Sequence, residues 1–187
     1  MQRTILISLT ALMVVTLTAN AQTQNWRDRA EYDLYTEIIK PDATPAERLQ
    51  SLEKWKASYP QSDYADMRLK IYLLTYRQMN NHRAAFDTAT EILKSQPNDL
   101  LSLTEIIDHG LQLLPEQPNA PLSAENKSNL GTIQKTSRYI LENLDIIYAA
   151  DKKPQRMSDE KWSSLKTEMQ HSARTVMNRA ATLGTQN

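Results

Sequence analysis

The chain has 187 residues, about one domain's worth, with 22 Lys+Arg against 22 Asp+Glu, three Gly, eight Pro and no Cys. The lack of Cys excludes disulfides, thiol catalysis, Cys-ligated metals and the lipid anchor of a bacterial lipoprotein. A formal net charge of zero, with no basic stripe interleaved with aromatics, provides no field for nucleic acid or anionic lipid, so no nucleic-acid binding is expected.

Residues 1–21 differ from the rest. Arg3 gives a positive start, Ile5 to Leu17 is an uncharged apolar run, and Ala19-Asn20-Ala21 is a small-x-small tripeptide. That is the three-part pattern of a secretory signal peptide. The rival is a membrane anchor, but the apolar run is shorter than the roughly 20 residues that span a bilayer. The expectation is cleavage after Ala21, an exported product in the periplasm or medium, and no stable membrane anchor afterwards. Domain residues then run from 22 to 187.

With so few Gly, tight hairpins and phosphate-cradling loops are poorly provided for, and most of the Pro fall between segments of 3.6-residue apolar period. Seven helices are predicted. The first covers about 25–40, with Trp26, Ala30, Leu34 and Ile38 on one face, and stops at Pro41. The second opens with Thr44 as N-cap, Pro45 behind it and Glu47 placed for a capping box; Leu49, Leu52, Lys56 and Tyr59 form its face beside Trp55, up to Pro60. Ser62 is expected to cap a third helix over 63–79. Its apolar residues lie on two sides, Met67, Ile71 and Leu74 on one and Leu69, Tyr72, Tyr76 and Met79 on the other, which predicts burial between neighbours. A fourth helix, 82–95, presents Ala85, Ala89, Ile92 and Leu93.

Asp99 caps a fifth helix reaching Leu114, with Leu103, Ile106 and Ile107 inside. Residues 115–122, rich in Pro, read as an extended connector. Ser123 caps a sixth helix, 123–150, striped by Leu130, Ile133, Ser137, Ile140, Leu141, Leu144 and Ile147. Ser158 opens a seventh, 158–183, with Trp162, Leu165, Met169, Ala173, Val176 and Ala180 inward and Gly184 suited to its C-terminal cap.

Pro60 and Pro97 stand 37 residues apart and each closes a helix pair, near the 34-residue period of a tetratricopeptide repeat. Counting back from Pro97, Leu69 takes the large position of the first helix, Tyr76 its aromatic position, and Ala85 the small position of the second. Residues 66–99 therefore resemble a tetratricopeptide repeat. They depart from it at Leu73, where the pattern has a small residue, and at Ala89, where it has an aromatic. The preceding unit carries Tyr32 and Ile39 but has Arg48 at its small position. The following unit has Leu103 but Gly110 in place of the aromatic. The run Lys56-Ala-Ser-Tyr-Pro-Gln-Ser-Asp-Tyr64 is similar to the inter-repeat turns of exported bacterial tetratricopeptide proteins, envelope-assembly factors among them. The resemblance implies an all-α fold, a short irregular right-handed solenoid of helical hairpins; the competing architecture is a plain helical bundle.

The resemblance also implies a concave groove that binds a protein or peptide partner. Its register assigns to that groove Asp33 and Glu37 in the first unit, Met67, Lys70, Leu74, Arg77 and Gln78 in the second, and Thr104, Asp108 and Gln112 in the third. Lys70 and Arg77 are expected to offer charge, Met67 and Leu74 apolar contact.

Catalytic patterns are missing. His82, His109 and His171 are far apart in the chain, with no paired spacing for a metal, so metal, cofactor and catalytic residues are all expected to be none. No GxSxG or P-loop occurs. Glu31, Asp33 and Glu37 alternate with Arg27, Arg29 and Lys40 and read as a solvated face. The Asn126-Lys-Ser128 sequon is read as chance. The expected function is a non-enzymatic scaffold or adaptor. The alternative is the helical N-terminal spacer of a longer exported protein, suggested by a seventh helix with no partner after it. An exported helical-bundle enzyme is the third reading.

Overall fold

A computed structural model describes residues 25–114 and 121–185. The proposed leader, 1–21, and most of the 115–122 connector lie outside the described residues. Seven α-helices follow in order: α1 Arg29–Ile38, α2 Pro45–Ser58, α3 Ala65–Gln78, α4 His82–Ser95, α5 Leu100–His109, α6 Ala124–Ile147 and α7 Asp159–Thr185. Two 3₁₀ turns, Gly110–Leu113 and Ala150–Lys152, follow α5 and α6, and there is no strand among the described residues. The all-α expectation is met, with the predicted number of helices. None of them is long and apolar enough to cross a membrane.

The helix starts follow local chemistry. Thr44 and Glu47 close a reciprocal capping box: Glu47 N–H donates to Thr44 Oγ1 at 3.3 Å, and Thr44 N–H donates to Glu47 Oε2 at 2.9 Å. Asp28, Asn81, Asp99 and Ser123 cap α1, α4, α5 and α6 with a side-chain oxygen. Ser158 takes the same role for α7, its Oγ accepting from Lys161 N–H at 3.2 Å.

Several ends differ from expectation. Helix α1 begins at Arg29 rather than near 25, because the Asp28 carboxylate captures the Glu31 N–H. Ser62 does not cap α3. Its Oγ accepts from Tyr64 N–H at 3.0 Å, making a side-chain turn, and the helix starts only at Ala65. Helix α5 tightens into the 3₁₀ turn at Gly110 instead of running to Leu114. Helix α7 continues through Gly184 to Thr185, so Gly184 is not its terminal cap.

Each helix packs against the next, from α1 on α2 through to α6 on α7, and α5 also meets α7. This burial divides into two cores. Ile38, Leu52, Trp55 and Tyr72 centre the first, with Trp26, Leu34, Leu49, Met67 and Ile71 around them. Leu73, Ala85, Phe86, Ala89, Ile92, Leu103, Ile106 and the inward residues of α6 and α7 build the second. Helix α3 lies between the two, presenting Tyr72 to one and Leu73 to the other, while Tyr76 touches both. Two-sided burial of α3 was expected, but the partition differs: Leu74 and Met79 are each 40% exposed. Lys56, placed on the inner face of α2 by its spacing, is exposed, as its ammonium requires. The α6 and α7 stripes are as expected, with Leu141 and Leu165 partly buried at their margins.

Two departures from the repeat pattern have structural reasons. Arg48 is large where a small residue was wanted, and its guanidinium ties the α1–α2 loop to α3. It donates to Ile38 O at 3.1 Å, Ala43 O at 3.3 Å and Gln78 Oε1 at 2.6 Å. Gly110 is small where an aromatic was wanted because α6 passes directly over it. A Cβ there would sit 2.9 Å from Ile133 Cγ1 and 3.1 Å from Phe86 Cε2.

Candidate functional site

The ten groove positions do not form one open surface. Asp33 and Glu37 are exposed on α1, with Asp33 holding Arg29 at 2.7 Å. Met67 is partly buried against the first core and so serves packing. Leu74 is open, and Gln78 accepts from Arg48. Lys70 is bound by Asp99 at 2.7 Å, and Asp99 is itself the cap of α5. Arg77 is bound by Glu105 at 3.1 Å. The two cations expected to meet a partner are thus neutralised within the protein, tying α3 to α5.

Three of the ten do converge. Arg77, Thr104 and Asp108 line a cleft of about 70 Å³ whose opposite wall is α7, through Leu165, Glu168, Met169 and Ser172, with Tyr148 at the end of α6. This volume is well below the ~300 Å³ of the smaller small-molecule sites, and it suits the tip of one side chain. Asp108 and Glu168 bring carboxylates to the cleft: burial pushes the Asp108 carboxyl up against the pull of the Arg77 guanidinium, and Glu168 accepts from Ser164 Oγ–H at 2.7 Å. The sequence reading missed the α7 wall because α5 and α7 meet only through the tertiary fold.

Behind Arg77 lies a second group. Glu105 is 0% exposed, and neither of its oxygens has a well-directed hydrogen bond from the described residues. Burial pushes its carboxyl up to about 7 against the opposing pull of the Arg77 guanidinium. One turn on, the His109 ring stacks on His82 with centroids 4.6 Å apart and planes at 20°. Burial, and then His82 and Arg77, hold His109 below its usual pKa, while Gln112, 3.3 Å from Nδ1, acts the other way. Nitrogen and oxygen atoms of His82, Glu105 and His109 lie within 4.8 Å of one another.

The fold thus brings together two histidines that stand far apart in the chain. The sequence contains the signal. Glu105 and His109 are at i and i+4 on α5, and a tight α4–α5 hairpin returns the end of α5 to the start of α4, where His82 sits. His171 is exposed on α7.

A second misjudged residue is Glu31, read as part of a solvated face. It is fully buried, accepting from Trp55 Nε1–H at 2.9 Å and Arg27 N–H at 2.7 Å. Burial acts to raise its pKa, but hydrogen bonds from Ser62, Arg27 and Trp55 outweigh it and hold the carboxyl below the ordinary value. Glu31, Leu34 and Ile38 share one helical face, so its position on the apolar stripe was visible even though its residue type argued for solvent.

Comparison with family models, with curated proteins and with solved structures finds no match in any of the three.

Proposed function

We propose that the chain is an exported, non-enzymatic adaptor, a short irregular solenoid of tetratricopeptide-like hairpins, that binds a segment of another protein along the face of α3, α5 and α7. The observation carrying this reading is the convergence of Arg77, Thr104 and Asp108, all assigned to the groove by the repeat register, on one cleft. The succession of helices, each packed on its chain neighbour, is consistent with stacked hairpins. Ala85, fully buried on α4 at the small position of the repeat pattern, is consistent with a close approach of that helix to α3. The cleft dimensions favour one apolar side chain, and Asp108 with Glu168 favour a basic residue beside it. The partner segment is thus a basic-apolar stretch of a protein.

The spacer reading is the weaker one. It rests on a seventh helix with no partner after it; Trp162, Met169, Ala173, Val176 and Ala180 pack that helix on the preceding α5 and α6. Affinity purification from the producing cell's envelope tests the adaptor reading. Asp108→Lys with Glu168→Lys, on a chain that keeps its helical circular dichroism, is expected to lose the principal partner. Recovery of that partner at wild-type yield contradicts it. Reversal of Lys70 or Arg77 is unsuitable, because it would strand Asp99 or buried Glu105 without a counter-charge.

A further inference from the structure

We propose that His82, Glu105 and His109 form a binding site for a divalent first-row transition ion of the Zn²⁺ type, joining the start of α4 to the end of α5. The ligand set is two imidazole nitrogens and one carboxylate oxygen. Such an ion holds its ligands at roughly 2.0–2.2 Å, which places them about 3–3.5 Å from one another. The donor atoms here all lie within 4.8 Å, so closure needs side-chain rotation of about an ångström and no movement of the helices.

The backbone supports that placement. His82 is the first residue of α4, directly after the Asn81 cap, whose Oδ1 accepts from Ala84 N–H at 3.1 Å. Glu105 and His109 are one turn apart on α5 and so share a face. Both rings are half-buried, which leaves a path for the ion and a fourth position for water.

Independent support comes from Glu105. A fully buried carboxylate is costly unless its oxygens are engaged. Arg77 Nε approaches Oε2 at 3.1 Å, and Oε1 is buried without a hydrogen-bond partner from the described residues. Coordination through Oε1 resolves that cost, and Arg77 then serves as the outer partner that fixes the carboxylate. Gln112 does the same for His109. With its amide turned to present the oxygen, it accepts from Nδ1–H and leaves Nε2 for the ion. Mixed nitrogen and oxygen donors select for Zn²⁺ and its neighbours over Mg²⁺ and Ca²⁺, which require oxygen throughout.

The site does not depend on the adaptor reading, and its test needs no protein partner. Chelator-stripped full chain is titrated with ZnCl₂ by calorimetry, with thermal unfolding followed in parallel and CoCl₂ as the spectroscopic probe. The expected result is one Zn²⁺ per chain, a rise in Tm with Zn²⁺ but not Mg²⁺, and a Co²⁺ visible band of a low-coordinate site. His109→Ala and Glu105→Gln are each expected to weaken binding by at least ~10-fold, while His171→Ala leaves it unchanged. Where Glu105→Gln fails to fold, His82→Asn, at the start of α4, provides the same readout. Lack of saturable Zn²⁺ binding by the wild-type chain below about 1 mM overturns the proposal, as does undiminished binding by the His82→Ala/His109→Ala double variant.

Discussion

At the scale of single residues, close approach and burial explain positions that residue type alone misreads. Gly110 is the clearest. Its φ of −57° is ordinary for any residue, so conformational freedom is not its reason. Space is: a methyl group would press on Ile133 and Phe86. Gly110→Ala should destabilise the protein by ~1–3 kcal/mol, despite the better helix propensity of Ala, read from the midpoint of denaturant unfolding. Glu31 makes the complementary case. Against the opposing effect of burial, the hydrogen bonds it accepts hold its carboxyl below the ordinary glutamate range. A depressed carboxyl contributes stability that is fully present above the unfolded pKa and is lost as pH falls through the folded one. Wild-type Tm should therefore drop as pH is lowered below about 4.5, and Glu31→Gln should show a lower Tm at pH 7 together with a shallower acid limb. An unchanged acid limb would show that other carboxylates govern it. Asn80 is the one non-glycine residue at positive φ among the described residues, 54°, and it turns the chain from α3 to the Asn81 cap of α4.

At the scale of elements, the capping side chains and prolines made the helices legible. Thr44-Pro45, Asp99, Ser123 and Ser158 each stand where a helix begins. Ends set by competing side-chain bonds were not legible, as at Ser62, where the hydroxyl stabilises a turn two residues ahead of the helix. The interior of α6 shows the same effect. Asn143 leaves helical geometry with φ −124° while its Nδ2 donates to Tyr139 O at 2.8 Å, bending a helix that its stripe describes as straight. The two faces of α3 have an energetic consequence. Leu52 serves only the first core, whereas Leu73 lies where α3 seals the second. Either truncation to Ala should cost ~2–5 kcal/mol. Amide exchange should then separate them: Leu52→Ala is expected to release protection mainly in α1 and α2, and Leu73→Ala in α4 through α7. Equal loss everywhere from Leu52→Ala would mean the two cores unfold as one unit.

At the scale of the whole molecule, the arrangement of chain neighbours governs what the site can be. The repeat register placed Arg77, Thr104 and Asp108 on one face, and the fold brings them to one cleft. It also consumes Lys70 and Arg77 in ion pairs with Asp99 and Glu105, which no pattern along a single helix reveals. The α7 wall was out of reach for the same reason, since it joins segments distant in sequence, whereas the His82–His109 stack follows from the i, i+4 spacing on α5 and the short α4–α5 connection. The adaptor reading is tested most directly by photo-crosslinking in the producing cell, with a benzophenone amino acid placed in turn at Thr104, at Ser172 and at Glu91, exposed on α4 away from the cleft. Adducts to a common protein are expected from Thr104 and Ser172 and none to it from Glu91; no adduct from either cleft position, or the same adduct from Glu91, rules the adaptor role out.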